Sequence, residues 1–304
     1  MAIKCSPFPI EHLQEVFRHT NMASLLIGHT GNVMFISMTK TLVQIYEVQN
    51  PAEAEALIAL GVDHMGSVLL SLDSWKVETI RETVQTIQQA GGKSGLIPIF
   101  GDAQTVFQAL DYYRPDFVHF CEAIPIFPGN QTKPTREFDA FITLQVQFKK
   151  RFPQIKIMRS ISVPKPGAAR ENNVLNNILS FTKLLAPFSD YFLIDTIIGD
   201  QGAKHDQPVA GYVGITGEVC DWKMAGEIIK QSPIPVILAG GISNENVFDA
   251  IIKLRPAGVD SCTKTNAVDE DGQPIRFQKD LKKVKRMVEE ARRADAALAQ
   301  SLKK

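Results

Sequence analysis

The chain has few cysteines and no net charge, and both absences bear on its function. The four cysteines, Cys5, Cys121, Cys220 and Cys262, lie far apart and form no CxxC pair. In a long chain this pattern predicts reduced thiols rather than a disulfide framework. The 33 Lys and Arg residues balance the 33 Asp and Glu residues, a composition that gives no indication of a nucleic-acid or membrane-surface partner.

Long apolar runs are also absent. No stretch approaches the roughly 20 apolar residues that span a bilayer, and the first residues, MAIKCSPFPIEHLQEV, lack the apolar core of a signal peptide. We therefore predict a cytoplasmic protein. With 304 residues, 44% of them hydrophobic, the chain is long enough for one large barrel or two ordinary domains.

Short apolar runs alternate with helical patterns from Leu42 onward. The predicted strands are residues 42–48, 64–70, 95–100, 116–122, 155–163, 191–196, 236–239 and 258–262. The predicted helices are residues 51–60, 75–90, 103–112, 138–150, 174–185, 222–230, 244–254 and 277–298. Eight strands alternating with eight helices over about 255 residues predict an α/β fold of the (β/α)8 TIM-barrel type. A doubly wound sheet is the alternative, but the turn after the first strand, residues 47–50, has no glycine.

The first 41 residues do not follow this alternation. A short helix at residues 10–18 and a hairpin at residues 24–37 are predicted from their patterns. We interpret residues 1–41 as an N-terminal extension and residues 42–304 as the barrel.

The segment from residue 235 to residue 264 has the features of an anion site. Gly240 and Gly241 follow the seventh strand, and Ser243 is placed to cap the next helix. Glycines let a ligand approach the backbone, and a helix start offers free N–H groups to an anion. Thr263 and Lys264 follow the eighth strand, and such barrels bind phosphate after strands seven and eight. The alternative is an ordinary turn followed by a surface lysine.

Five segments, in this order and spacing, resemble phosphoribosylanthranilate isomerase, a barrel enzyme of tryptophan biosynthesis. They are NPAEAEALIALG (residues 50–61), FLIDT (192–196), ITGEVCDW (215–222), ILAGGISNENV (237–247) and GVDSCTKT (258–265). The likeness runs from about residue 43 to residue 294 and is most specific from residue 192 onward. It implies an Amadori rearrangement, an aldose-to-ketose isomerisation of a phosphorylated N-glycoside of anthranilate, with no metal and no organic cofactor.

The resemblance also implies roles for the ends of two strands. The family's general acid, an aspartate ending the sixth strand, matches Asp195. The family's general base is a cysteine ending the first strand, and it is not present here; Tyr46 occupies its position. A phenol has an ordinary pKa of about 10, so Tyr46 would need a strong field to act as a base, and its alternative role is a packed aromatic at the barrel mouth.

Other strand-end residues are candidates for the missing base. Glu47 follows Tyr46, although a regular strand would aim it away from the barrel centre. Glu122 ends the fourth strand. The thiols of Cys121 and Cys262 are also at strand ends, but buried thiols are usually inert. Each of these residues has structural packing or pairing as its alternative role.

By the same resemblance, the substrate-binding positions match residues of several loops. Gly217 lies in the loop after the sixth strand, which carries an extra stretch at residues 200–214. The family's small phosphate-cradling residues after the eighth strand are replaced here by Cys262, Thr263 and Lys264. Its arginine after the second strand, which meets the anthranilate carboxylate, falls near Trp75 or Lys76.

Two functional alternatives remain. The chain is either a lyase or aldolase that kept the phosphate site, or a barrel that binds a ligand without chemistry. In each case the expected partner is a small phosphorylated molecule, and a homodimer is expected by analogy. The pairs His119/Glu122 and His205/Asp206 have no recognised metal-site spacing, so no metal is predicted. A Tyr46 ring filling the space between Asp195 and Gly241 would argue against the isomerase.

Overall fold

The structure, a computed structural model, describes residues 40–123, 136–167, 173–198 and 211–301. The helix and hairpin predicted in residues 1–41 lie outside this part of the chain, and so do His205 and Asp206. Within the described ranges, no helix is both long enough and apolar enough to cross a bilayer.

Eight parallel strands close into a barrel in chain order. They are β1 (Leu42–Tyr46), β2 (His64–Leu69), β3 (Lys93–Pro98), β4 (Phe117–Phe120), β5 (Lys156–Pro164), β6 (Tyr191–Ile197), β7 (Val236–Leu238) and β8 (Gly258–Ser261). Each strand pairs with the next, and β8 pairs with β1. The (β/α)8 prediction is confirmed, and every strand lies within two residues of its expected bounds. Because helices cover the outside of the sheet, β2 and β7 are buried throughout, which explains their continuous apolar runs.

A helix follows each strand and packs on the outside of the barrel. The helices are α1 (Pro51–Ala59), α2 (Glu78–Gln89), α3 (Ala103–Tyr113), α4 (Arg136–Arg151), α5 (Val174–Leu185), α6 (Trp222–Gln231), α7 (Val247–Leu254) and α8 (Leu281–Ser301). Side-chain caps fix several of the helix starts. The Asn50 side chain accepts the N–H of Glu53, and Asp221 accepts the N–H groups of Lys223 and Met224. These bonds satisfy N–H groups that the helix itself leaves free.

Two helices that connect barrel strands begin later than predicted. α2 begins at Glu78 rather than at residue 75, because the main chain before it is tied to the end of α3. The hydroxyl of Tyr113 donates to the carbonyl of Trp75 at 2.6 Å and accepts the N–H of Val77 at 2.7 Å. α7 begins at Val247 rather than at residue 244, because Ser243 and Asn246 form a local turn. Asn246 Oδ1 accepts the N–H of Ser243 at 2.9 Å.

A hairpin after the barrel strands was not predicted. β9 (Asn266–Val268) pairs antiparallel with β10 (Pro274–Lys279). The last helix, expected to begin at residue 277, therefore begins at Leu281. Asp280 caps it by accepting the N–H of Lys282 at 2.9 Å. The hairpin places Arg276 and Phe277 against the barrel.

The barrel interior combines apolar and polar side chains. Its apolar cluster includes Tyr46, Val68, Ile97, Phe117, Met158, Leu193 and Ile237. A buried polar chain crosses it: His64 Nδ1 lies 3.2 Å from Gln44 Oε1, and Gln44 Nε2 donates to Asp260 Oδ1 at 3.0 Å. Burial lowers the pKa of His64 to about 4, so this imidazole is neutral near pH 7. The packed interior leaves the strand ends as the place for a binding site.

Candidate active site

Two adjoining cavities lie at the carboxyl ends of the strands. The first is an open cleft of about 280 Å³, including space open to solvent, and is lined by residues that end or follow β6, β7 and β8. The second is an open cleft of about 520 Å³, again including space open to solvent, and is lined by ends of β1 to β4, by β6 and β8, and by residues 212–215. Asp195, Ile215, Asp260 and Cys262 line both cavities. A ligand occupying both would therefore pass these four side chains.

Asp195 lies near the end of β6, where the sequence predicts the general acid. Its Oδ1 accepts the N–H of Thr196 at 2.7 Å, and the N–H of Gly240 also donates to the carboxyl group. Burial outweighs these two donors and raises the pKa of Asp195 to about 6. A carboxyl group with this pKa holds a proton on a substantial fraction of molecules near neutral pH, as a general acid requires.

Glycines with left-handed backbones form one wall of the first cavity. Gly240 and Gly241 have φ angles of 73° and 66°. A Cβ on Gly240 would lie 2.5 Å from Thr196 Oγ1, and a Cβ on Gly241 would lie 2.8 Å from the backbone of Glu218. Glycine is needed at both positions, because the loop after β6 packs directly against them.

The predicted phosphate residues meet at this cavity. Gly217, with a φ of 65°, lies opposite Thr263, and a Cβ there would be 3.3 Å from Thr263 Cγ2. Thr263 and Lys264 belong to a short 3₁₀ turn after β8, and the Lys264 side chain is exposed. All the predicted phosphate residues except Lys76 line the first cavity; they are Gly217, Gly240, Gly241, Cys262, Thr263 and Lys264. The cavity combines flexible glycine backbone with one ammonium group, a suitable environment for an anion.

Tyr46 is a packed residue of the barrel interior. Its ring stacks on His119 with centroids 5.3 Å apart, and a Cβ on Gly66 would overlap the ring. The hydroxyl points to the thioether of Met158, with Oη and Sδ 3.1 Å apart. Burial raises the pKa of Tyr46 well above 10, so the phenol is poorly suited to accept a proton. The ring lines the second cavity but not the first, and the space between Asp195 and Gly241 is free of it.

Glu47 differs most from its expected placement. Its φ of 62° is left-handed, so the side-chain alternation of a regular strand does not apply to it. The side chain lines the second cavity, is 1% exposed, and pairs with Arg276 of β10. The expectation that Glu47 points away from the barrel centre is therefore wrong, because that expectation assumed extended backbone.

Comparisons with known proteins agree on one family. The family model described as N-(5'phosphoribosyl)anthranilate (PRA) isomerase matches residues 182–290. N-(5'-phosphoribosyl)anthranilate isomerase 1 of Methanosarcina mazei is 25% identical over 267 residues, which cover 85% of this chain and 98% of the relative. The isomerase of Methanosarcina acetivorans is 25% identical over 262 residues, covering 83% and 94%. The chain is therefore similar to phosphoribosylanthranilate isomerases over most of its length.

Solved structures of phosphoribosylanthranilate isomerases have the same fold. The Thermotoga maritima enzyme superposes with a TM-score of 0.57 at 18% identity, and the match covers 83% of this chain and 98% of that chain. The Pyrococcus furiosus enzyme has a TM-score of 0.53 at 20% identity, with 83% and 99% covered. At these identities the likeness supports the barrel architecture.

Two candidate residues lie away from the two cavities. Glu122 pairs with the buried Arg159 of β5, with Oε2 and Nη1 2.7 Å apart, and its main chain bridges to Tyr212. The Lys76 ammonium lies 4.7 Å from the centre of the Tyr112 ring. Neither residue is among those that line the two cavities. The structure gives Glu122 a pairing role and places Lys76 against α3.

The cysteine candidates are at the cavities, but burial raises the pKa of Cys121 and of Cys262. Both are therefore neutral thiols. His119, weighed earlier with Glu122 as a metal pair, faces the barrel interior and lies 2.8 Å from Ser160 Oγ. Across the described ranges, no group of three or more His, Cys, Asp and Glu side chains is arranged to hold a metal ion.

Sequence reasoning missed two residues of the site. Asp260 lines both cavities, and burial raises its pKa to about 8. It stands two residues before Cys262 on β8, so the alternation of the strand could have placed it on the same inward face. Arg276 could not have been found this way, because its contact with Glu47 depends on the unpredicted hairpin.

Proposed function

We propose that this protein is an aldose–ketose isomerase that carries out the Amadori rearrangement of a phosphorylated N-glycoside of anthranilate, as in tryptophan biosynthesis. The observation that carries the proposal is the position of Asp195. Its carboxyl group, with a pKa of about 6, lies between a glycine-lined anion cavity and a second, more apolar cavity. The named function of the relatives, phosphoribosylanthranilate isomerase, agrees with this reaction.

The phosphate group would occupy the first cavity. Gly217, Gly240 and Gly241 line this cavity, and Lys264 supplies the positive charge. Binding the phosphate there directs the sugar ring toward Asp195. The aryl group would then enter the second cavity, where Val68 and Ile97 provide apolar walls.

The reaction begins with the proton held by Asp195. Transfer of this proton to the ring oxygen lets the C1–O bond break with its electron pair remaining on the oxygen. The amine nitrogen donates its lone pair to C1 and becomes an iminium. A base then removes the proton from C2, the C2–H pair forms the C1=C2 bond, and the iminium nitrogen recovers its pair. The enol becomes a ketone as C1 gains a proton and the C2 hydroxyl group loses one. C1 is thereby reduced and C2 oxidised, so no cofactor enters the balance.

We further propose a cytoplasmic location and a homodimer, as expected from the sequence. Both rest on likeness to a biosynthetic enzyme family whose solved members include a dimeric form. Size-exclusion chromatography with light scattering would give the mass in solution, and a mass of one chain would contradict the dimer.

Turnover of freshly prepared phosphoribosylanthranilate tests the function. The wild type should form product, and Asp195→Asn should lose roughly 10²–10⁴-fold in kcat because its amide cannot donate the proton to the ring oxygen. The control is Asp249→Asn, a carboxylate on the exposed side of α7 that pairs with Lys253. The wild-type kcat should also fall as pH rises through about 6, where Asp195 loses its proton.

A wild type without turnover would contradict the isomerase. If inorganic phosphate still raised its melting temperature, the anion cavity would stand, and a lyase, an aldolase or a binding barrel would become the better interpretation.

A further inference from the structure

The proposed isomerisation needs a base for the C2 proton, and Tyr46 does not suit that role. We propose that Glu47 is the general base, the partner of Asp195 across the second cavity. This inference rests on the proposed function and names the residue that completes it. Four independent features support it: the backbone conformation, the unpaired oxygen, the contact with Arg276, and the chemistry of the other side chains that line the cavity.

The backbone at Glu47 is in a conformation that glycine favours. Five non-glycine residues in the described ranges have positive φ angles, and two of these, Arg114 and Arg255, end α3 and α7 as ordinary left-handed caps. Two of the other three line the site, and the third packs against the barrel interior. Glu47 and Ile215 line the second cavity, and Phe277 packs against the interior cluster. Strained backbone of this kind collects at functional sites, because surrounding contacts must hold it.

The Glu47 carboxylate is buried but only partly paired. Its Oε1 accepts Nε of Arg276 at 2.9 Å and also Nη2 of the same guanidinium. Its buried Oε2 has no hydrogen-bond partner of good geometry in the described structure, and the weak S–H donor of Cys262 lies close enough to interact with the carboxylate. A buried oxygen without a partner is costly and rare in folded proteins. Here it leaves a free acceptor on a residue that lines the cavity.

Arg276 fixes the direction of this carboxylate. A guanidinium that donates two N–H groups to one carboxylate oxygen restricts the rotation of the acid. The contact comes from β10, in the hairpin that follows the barrel strands. The hairpin therefore holds Arg276 at the end of β1, where its guanidinium contacts Glu47. Arg276 is a positioning residue in this arrangement, because it acts through Glu47.

The other titratable side chains of the second cavity are poorly suited to take a proton. Burial raises the pKa of Tyr46, Cys121, Tyr212 and Cys262, so all four are protonated near pH 7. Burial lowers the pKa of His119 to about 3, which makes it a weak base, and raises that of Asp260 to about 8, which keeps its proton in place. Asp195 serves as the acid. Among the described side chains that line the second cavity, Glu47 is therefore the candidate for the base.

The step balances with the groups present. Glu47 Oε2 takes the C2 proton, the C2–H electron pair forms the C1=C2 bond, and the iminium nitrogen regains its lone pair. Asp195 has already given one proton to the ring oxygen, which becomes a hydroxyl group. One proton received and one proton given leave the pair of carboxyl groups with the same total charge, and solvent exchange restores the starting state.

Glu47→Gln tests the assignment with wild type, Asp195→Asn and Glu289→Gln assayed in parallel. Glu289 is an exposed glutamate on α8 that faces Lys285. Glu289→Gln therefore makes the same glutamate-to-glutamine change away from the site. We expect kcat of Glu47→Gln to fall roughly 10²–10⁴-fold with KM within a few-fold, as for loss of a general base. Substrate deuterated at C2 should slow this variant more than the wild type, because proton removal then limits turnover. A role confined to packing would not change the isotope effect.

A second variant covers the case in which Glu47→Gln folds poorly. Glu47→Gly suits the left-handed φ but removes the partner of Arg276, so it should still unfold cooperatively while losing turnover to the same extent. Turnover of either folded variant within a few-fold of wild type would overturn the base assignment and leave the isomerase function intact. Failure of the wild type itself to turn over would overturn both proposals.

Discussion

Asp195 and Gly214 are in direct contact, and a Cβ at position 214 would overlap Oδ2 of the carboxyl group. Gly214 has a φ of 111° and belongs to the loop after β6. Because the loop covers Asp195 without a side chain, it contributes to the burial that raises the pKa of this acid to about 6. A substitution at Gly214 is therefore expected to change the environment of the Asp195 carboxyl group and its pKa.

Gly214→Ala should disturb the acid more than the fold. The left-handed φ costs an alanine about 1–3 kcal/mol, and the new methyl group must displace either the loop or the Asp195 carboxyl. We expect kcat to fall at least tenfold in a variant that still unfolds cooperatively. The matched control is Gly211→Ala, which has a φ of 83° but no atom within 4 Å of the added Cβ. Equal loss of kcat in both variants would show that loop strain, and not contact with Asp195, is responsible.

Asp260→Asn should stabilise the protein, and more so as the pH rises. The pKa of Asp260 is raised from 3.8 to about 8, first by burial and also by the charge of Asp195. Below pH 4 the group is protonated in both the folded and unfolded states and costs nothing. Between pH 4 and pH 8 the unfolded state releases the proton more readily, so the wild type loses stability as pH rises. Asparagine has no proton to release, so its stability does not fall in this way, and its side-chain oxygen can still accept the hydrogen bond from Gln44 Nε2.

The free energy of unfolding of Asp260→Asn, relative to the wild type, should increase by on the order of 3 kcal/mol between pH 5 and pH 8, because each pKa unit corresponds to about 1.36 kcal/mol. Urea denaturation at the two pH values measures it. Asp249→Asn, on an exposed ion pair of α7, controls for general charge effects. A constant difference between variant and wild type across this range would mean that Asp260 is ionised throughout.

Much of the fold was predictable because burial on both faces leaves a clear pattern. The run at Tyr191–Ile197 is apolar until Asp195 interrupts it near the carboxyl end. In a closed parallel barrel, a polar residue at that end faces the site rather than the core. The same logic located Gly240 and Gly241, since two glycines after a buried strand are needed only where another backbone approaches closely.

The remainder of the site depends on tertiary contacts. The segment Pro274–Lys279, PIRFQK, alternates apolar and charged residues weakly, and the sequence assigned its end to a helix. Only pairing with Asn266–Val268 makes it a strand. The placement of Glu47 was missed for the same reason, because its left-handed backbone is held by Arg276 from that hairpin. The residue pattern of one segment does not indicate which distant segment it will contact.

Gly241→Ala should weaken phosphate binding. Its φ of 66° is unfavourable for alanine, and the added Cβ would lie 2.8 Å from backbone atoms of Glu218 and Val219. Since backbone cannot rotate away as a side chain does, the loop must move from the first cavity. Gly272→Ala has a similar φ of 78° and no atom within 4 Å, which makes it a matched control.

The measurement is the rise in melting temperature with inorganic phosphate, which reports binding to the folded state. We expect Gly241→Ala to lose most of the rise and Gly272→Ala to keep it. An unchanged rise in Gly241→Ala would exclude the first cavity as the phosphate site.

Substitutions of Tyr46 separate packing from chemistry. The ring is 6% exposed and fills the barrel between Gly66, His119 and Met158. Tyr46→Phe removes only a hydroxyl group whose partner is a thioether, a weak acceptor, so the free energy of unfolding should fall by less than about 1 kcal/mol. Tyr46→Ala should cost about 3–5 kcal/mol, because it leaves a cavity where a large ring was buried. If instead the phenol is the base, Tyr46→Phe should be as stable as expected but should lose roughly 10²–10⁴-fold in kcat, and that result would return the catalytic role to Tyr46.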